Sequence, residues 1–229
     1  LGRDFWLRDL WEQDYAAVFL AVGAHRSREL RLEGADLDGV LHGVDFLLNA
    51  NLNYRVDLGR KVLVVGGGNV AVDVARSVLR FDGEEYEEPD RYLHAAFDVA
   101  RSALRLGARD VTLVCLESRQ EMPAFEDEVH EAEREGIVIH NSLGPKRILG
   151  ENGRLTGLET IDVKSVFDAL GRFNPEFYPN TEKIIPAETV ILAIGQTSDL
   201  SFIEPEDGLT VTPRGTIAVD PHTLTTSDP

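Results

Sequence analysis

An α/β fold built on a parallel sheet is what this sequence predicts, and three observations carry the prediction. First, Lys61 to Arg80 reads KVLVVGGGNVAVDVARSVLR. Val62 to Val65 is a continuous apolar, mostly β-branched run, the pattern of a strand buried on both faces. It runs into Gly66-Gly67-Gly68, and Asn69 to Arg80 then takes helical spacing with Val70, Val74 and Val78 on one face. Second, the apolar runs Asp110 to Leu116 and Glu188 to Gly195 have the same two-faced character. Third, helical stretches stand between such runs, as a parallel sheet requires of its crossovers.

Strand, glycine turn and helix in that order form the context of a dinucleotide-binding fingerprint. Gly66 permits the tight turn, Gly68 lets the backbone approach a pyrophosphate, and Ala71 is the small residue that lets helix and strand pack closely. Free amides at the helix start, helped by the helix dipole, suit phosphates. The expected class is therefore a Rossmann-like dinucleotide-binding domain.

Taken in order, Leu7 to Trp11 is amphipathic and suits one or two helical turns. Asp14 to Ala24 reads as a buried strand ending in a glycine turn, Ala35 to Gly43 as loop, and Val44 to Leu52 as a helix. Phe81 to Asp90 is a polar run with six acids, read as a surface loop. DVARSALR at Asp98 to Arg105 then echoes DVARSVLR at Asp73 to Arg80, 25 residues later, and Gly107 suits a helix C-cap.

In a dinucleotide fold, the residue at the tip of the second strand meets the adenine ribose, ~20 residues after the glycines. Glu117 lies 49 residues beyond Gly68, and removing one 25-residue echo leaves 24. Its carboxylate suits the ribose hydroxyls and would repel a 2′-phosphate; the nearby Arg119 guanidinium suits that phosphate instead.

Pro123 is read as starting a helix over Ala124 to Glu135, with Gly136 as cap and the carboxylates Glu126, Asp127, Glu128, Glu131, Glu133 and Glu135 as a solvent face. Ile137 to His140 is a short strand. Lys146 to Leu149 and Arg154 to Ile161 flank the hairpin signal Asn152-Gly153. Val163 to Pro186 reads as irregular, and the tail from Gly208 carries two short strand-like runs.

At 229 residues, 43% of them hydrophobic, the chain can bury a real core. A net charge of −17 argues against nucleic acid or an anionic membrane as partner. No apolar run reaches the ~20 residues of a membrane span and no secretory signal opens the chain, so a cytoplasmic setting is expected. The single cysteine, Cys115, excludes an internal disulfide and a CxxC pair, and is read as a buried, inert thiol. The six histidines show no metal-ligand spacing, and no nucleophile motif is present, so no catalytic side chain and no metal are expected. The only methionine is Met122 and the chain opens on Leu1 in mid-pattern, as a piece of something longer would.

Three stretches together resemble a known family: GGGNVAVDVAR at Gly66, SRQEMPAFEDEVHEAEREGI at Ser118 and PAETVILAIGQTSDL at Pro186. They are similar to the pyridine-nucleotide domain of FAD-dependent oxidoreductases related to the glutamate synthase small (beta) subunit. The GNVAxDVAR wording also resembles adrenodoxin reductase-like ferredoxin reductases. The resemblance implies hydride transfer from a bound nicotinamide nucleotide to FAD. It places the pyrophosphate at Gly66, Gly67, Gly68, Asn69, Val70 and Ala71, and the adenosine end at Glu117, Ser118 and Arg119. The glycine-ended segments Ala21 to Ala24 and Ala193-Ile194-Gly195-Gln196 become the two crossings between domains, the second beside the nicotinamide–flavin junction. It divides the chain into a NAD(P)-binding domain over 25–197 and flanking remnants of an FAD-binding domain at 1–24 and 198–229.

Many members of that family carry two arginines where Leu116 and Glu117 stand, so the resemblance favours NAD(H) over NADP(H). The flavin domain's own glycine fingerprint and its C-terminal Gly-Asp contact are missing from this chain. FAD is thus expected in the full-length protein and not on this chain alone, with an electron-transfer protein as a possible partner. The rival function is a non-catalytic NAD-binding regulatory module.

Overall fold

The computed structural model describes residues 1–52, 54, 56–80 and 110–226. The acidic run Phe81 to Asp90, the helix expected at Asp98 to Arg105 and the cap expected at Gly107 lie outside the described residues. The chain divides into two compact units, Glu29–Gly195 and a smaller one of Leu1–Arg28 with Gln196–Pro229.

The larger unit is organised on a five-stranded parallel sheet in the order β2-β10-β3-β4-β5. Its strands are β2 (Val40–His42), β3 (Lys61–Val65), β4 (Asp110–Val114), β5 (Val138–His140) and β10 (Thr189–Leu192). Among the described residues the helices of this unit are α2 (Gly43–Asn51), α3 (Asn69–Arg80) and α4 (Glu126–Arg134).

Alternation along β3 sorts its side chains to two cores. Val62 and Val64 join Ala71, Val74, Ala75 and Val78 of α3, Val129 and Ala132 of α4, and Phe46 of α2. Leu63 and Val65 join Val190 and Leu192 on the opposite face, together with Leu143, Ile148, Leu155 and Leu158. Each such side chain contributes ~1.5–3 kcal/mol by leaving water. Both faces of the sheet are covered, which is why its strands read as continuous apolar runs rather than alternating ones.

The cover on the second face is antiparallel: β6 (Leu143–Glu151), β7 (Arg154–Phe167), β8 (Phe173–Phe177) and β9 (Lys183–Pro186), all but β7 pairing with β7. The hairpin turn stands at Asn152-Gly153, with φ of 52° and 80°, the two positive values a type I′ turn demands.

The sequence reading fails in four places here. Val163 to Pro186 is not irregular: β7 runs on to Phe167, and β8 and β9 follow. Pro175 sits in β8, whose partner among the described residues is β7, so its missing donor is tolerated on the strand's open side. Val40–His42 is a strand, too short between Gly39 and Gly43 to show a period. Helix α4 starts at Glu126, with Phe125 as N-cap, rather than at Pro123. And Asp14 to Ala24 forms no strand: it has no β-ladder partner, and Phe19 is 89% exposed.

The smaller unit holds α1 (Leu7–Trp11), the antiparallel pair β1 (Arg26–Ser27) and β11 (Gln196–Thr197), and a 3-10 turn at Pro205–Asp207. Leu7 and Phe202 are its buried apolar residues, and Arg8 pairs with Glu204 at 2.9 Å. In place of the two strand-like runs of the tail there is one isolated bridge, Val211 to Ile217. Among the described residues no helix is long and apolar enough to cross a membrane.

Candidate functional site

The carboxyl ends of β3 and β10 come together at the glycine turn. Gly66 donates to the Val114 carbonyl and Ala193 to the Val65 carbonyl, tying the ends of β4, β3 and β10 into one edge. Gly66 has φ of 146°, and a methyl group there would stand 2.3 Å from the Ala193 carbonyl oxygen, so only glycine fits. Chain order reverses here, since β3 leads through α3 to β4 on one side while β10 lies on the other. This is the position where open α/β sheets bind their ligands.

Gly68 is different. A Cβ there would meet no heavy atom within 4 Å, so the turn is open toward solvent at that residue. Its carbonyl accepts from Ala71 and Val72, at 2.9 and 3.2 Å. The amides ahead of them, at Asn69 and Val70, have no intrahelical acceptor by the geometry of any helix start. A turn open at Gly68, with free amides at the positive end of a helix of 12 residues, fits a pyrophosphate. Ala71 is fully buried against the sheet, as the close packing of α3 requires.

Asn69 has a role that the sequence reading did not give it. Its Oδ1 accepts from the Phe125 amide at 2.9 Å, while the Gly67 carbonyl accepts from the Ala124 amide at 3.1 Å. These two bonds dock the Met122–Phe125 segment onto the glycine turn and leave the Phe125 ring 69% exposed beside it. Further along α3, Arg76 meets Glu128, Glu131 and Glu135 of α4 at 2.6, 2.8 and 2.9 Å. Those glutamates are therefore not a plain solvent face. They fix α4 against the helix that carries the turn.

Glu117, the residue expected at the ribose, follows β4 by three residues. A Cβ on Gly67 would stand 2.6 Å from Glu117 Oε2, so the carboxylate lies over the second glycine. The Glu117 carbonyl is gripped by the Ser142 amide at 2.9 Å and Asn141 Nδ2 at 3.3 Å. Asn141 was invisible as a site-building residue in the sequence, because its importance comes from β5 delivering it beside β4. Ser118 donates its amide and hydroxyl to Glu121, which holds that carboxyl below its usual range. Arg119 points to α4, with Nη2 at 3.2 Å from Glu133 Oε2 and 3.4 Å from His130 Nδ1.

Beneath the turn lies Cys115, whose thiol is pushed up to about 12, mainly by burial and next by the Glu117 charge. Of the other expected residues, Ala193 is buried against Gly66, Ile194 borders the second core, and Gly195 takes φ of 112°. Gln196 begins β11 of the smaller unit, paired with Ser27. His42, at the carboxyl end of β2 in register with Leu192, keeps a buried Nδ1 with no hydrogen-bond partner among the described residues, a placement that no local pattern signals. Among the described residues no cluster of His, Cys, Asp and Glu is placed to hold a metal ion.

A parallel sheet with a glycine turn at its switch point and an acid at the tip of the next strand defines a dinucleotide-binding α/β protein. The chain belongs to the pyridine nucleotide-disulphide oxidoreductase family, whose model matches residues 8–229. It is 40% identical over 225 residues to the NADP(+)-dependent formate dehydrogenase subunit beta of Moorella thermoacetica, covering 96% of this chain and 28% of that protein. It is 30% identical over 231 residues to the glutamate synthase [NADPH] small chain of Azospirillum brasilense, covering 99% of this chain and 44% of that one. Among solved structures, Mycobacterium tuberculosis FprA in complex with NADPH matches with a TM-score of 0.67 at 21% identity, over 92% of this chain and 55% of that one. The chain thus spans less than half the length of these two curated relatives.

Proposed function

We propose that this chain is the nicotinamide-nucleotide-binding portion of an FAD-dependent oxidoreductase, holding the nucleotide so that its hydride passes to a flavin carried by the same protein. The observation that supports the reading is the open glycine turn with Glu117 over Gly67 and the Ala193 carbonyl against Gly66, three of the expected contact segments meeting at the carboxyl edge of one sheet. Hydride chemistry belongs to the nicotinamide and flavin; the chain binds and orients. In this reading Gly66 to Ala71 hold the pyrophosphate, Glu117 to Arg119 the adenosine ribose, and Ala193 to Gln196 border the nicotinamide. Asn69 braces the turn. The smaller unit belongs with the flavin-binding part, and an electron-transfer protein takes the electrons onward. A cytoplasmic setting is part of the proposal; among the described residues no helix is long and apolar enough to cross a membrane.

The site and the relatives pull apart on which nucleotide is used. Glu117 favours NAD(H), because a carboxylate repels a 2′-phosphate. The names of both relatives carry NADP(+) or NADPH, which does not fit that preference. We therefore take NADP(H) as the nucleotide. Glu117 then accepts from the remaining ribose hydroxyl and Arg119 meets the 2′-phosphate, with NADH the reading that the position of Glu117 supports.

Calorimetric titration of the protein with NADPH and NADH, alongside Glu117→Ala and Arg119→Ala, tests this. Tighter NADPH binding that weakens in Arg119→Ala is expected. Tighter NADH binding that is lost in Glu117→Ala would overturn the choice of nucleotide. Flavin absorbance that bleaches anaerobically on adding nucleotide is expected of the longer protein; a colourless protein would favour a regulatory module.

A further inference from the structure

Two residues beyond Glu117, the chain's candidate cation for the 2′-phosphate is already occupied. Arg119 Nη2 lies 3.2 Å from Glu133 Oε2, and its Nη1 lies 4.0 Å from Met122 Sδ. His130 Nδ1 stands 3.4 Å from both the guanidinium and the Glu133 carboxylate, and its Nε2 stands 3.5 Å from Glu126. Arg119 stands two positions beyond Glu117, whose carboxylate oxygen is 2.6 Å from where a Cβ on Gly67 would be, so the chain itself keeps the guanidinium within reach of the glycine turn. It is held on α4 by Glu133, an acid of that helix.

We propose that Glu133 is a specificity-determining residue, and that the balance between NADPH and NADH is set by competition between its carboxylate and a 2′-phosphate for Arg119. The inference rests on the reading that Arg119 meets that phosphate. The Arg119 and Glu133 side chains are 29% and 44% exposed, so water screens the pair and it is weak enough to be exchanged. A phosphate offers more charge and a better fit to the guanidinium fork than one carboxylate oxygen does. NADPH therefore takes the arginine, at the cost of the Glu133 contact, while NADH leaves it where it is. The chain thus carries both an acid suited to NADH, Glu117, and an arginine suited to NADPH, and a third residue on a neighbouring helix sets how far the arginine counts.

The test is a set of dissociation constants for NADPH and NADH, measured by calorimetry on the wild type, Glu133→Gln, Arg119→Ala and the double variant. Asp127→Asn controls for the loss of one negative charge on the same helix. Exposed pairs of this kind correspond to about two- to fivefold in an equilibrium constant. Glu133→Gln is expected to tighten NADPH by about that factor and leave NADH unchanged, with no such gain in the Arg119→Ala background or in Asp127→Asn. An unchanged NADPH constant in Glu133→Gln, with Arg119→Ala still weakening NADPH, would overturn the inference while the Arg119 reading stands. Weaker NADPH binding in Glu133→Gln would also overturn it, because Glu133 would then be presenting Arg119 to the phosphate. Arg119→Ala with unchanged NADPH binding would remove the reading on which the inference rests.

Discussion

Replacing Arg76 with methionine keeps most of the aliphatic stem and removes the guanidinium, which isolates the charge contribution of one residue to the α3–α4 interface. The Arg76 side chain is 14% exposed and is gripped by three carboxylates that are 30% to 54% exposed. Its contact with Glu135 is a fork, Nε at 3.0 Å and Nη2 at 2.9 Å. A buried charged hydrogen bond contributes ~1.5–3 kcal/mol and an exposed ion pair ~0.2–1. These carboxylates lie between those limits, so about 1 kcal/mol for the Glu135 fork and rather less for each of the others is a fair reckoning. Loss of the arginine also leaves three like charges facing one another. The expected destabilisation is about 2–3 kcal/mol, a large share of the ~5–15 kcal/mol that holds a domain together. Urea denaturation followed by far-ultraviolet circular dichroism reads it as a lower midpoint. Glu128→Gln, Glu131→Gln and Glu135→Gln combined should restore much of the loss in the Arg76→Met background, since the repulsion goes with them. A variant within about 0.5 kcal/mol of wild type would refute the claim that this cluster fixes α4. So would a loss that removal of the glutamates fails to relieve.

Two further outcomes follow from the turn and what lies under it. Gly67→Ala should weaken nucleotide binding by at least tenfold in calorimetry and cost about 1–3 kcal/mol of stability, because its methyl would displace the Glu117 carboxylate; unchanged binding would place the ribose elsewhere. For Cys115, a thiol raised from its ordinary 9.0 to about 12 stays protonated in the folded state well above the point at which the unfolded chain ionises. Its contribution to stability is therefore present below about pH 9 and is lost progressively as the pH rises above it. Iodoacetamide at about pH 8 should leave Cys115 unmodified in the folded protein and alkylate it in urea; rapid labelling of the folded protein would contradict its burial.

Much of the architecture was legible in the sequence, for local reasons. Lys61 to Arg80 specifies strand, turn and helix through a β-branched run, consecutive glycines and a helical stripe of valine, and each of these signals lies within a few residues. Asn152-Gly153 set its hairpin in the same way. Segments whose structure comes from a distant partner were not legible. Val40–His42 is a strand because β10 lies beside it, and β8 is a strand because β7 offers an edge. The apolar Asp14 to Ala24 segment shows the converse. It has the composition of a strand and no ladder partner, since composition proposes a strand and only a neighbour makes one.

The same division holds at the site. Sequence by itself determined the chemistry on offer: consecutive glycines at a strand-to-helix turn, a helix start, and an acid and an arginine just beyond the next strand. The spacing of Glu117 from the glycines was enough to nominate it. Only the tertiary structure decided how those groups are used. It set Asn69 to brace the Met122–Phe125 segment, brought Asn141 to the Glu117 carbonyl, and drew Arg119 onto Glu133. Local conformation is governed by backbone sterics and nearest neighbours, which the sequence writes out directly. Hydrogen bonds and ion pairs between residues far apart in the chain exist only once packing has brought β4, β5, α3 and α4 side by side.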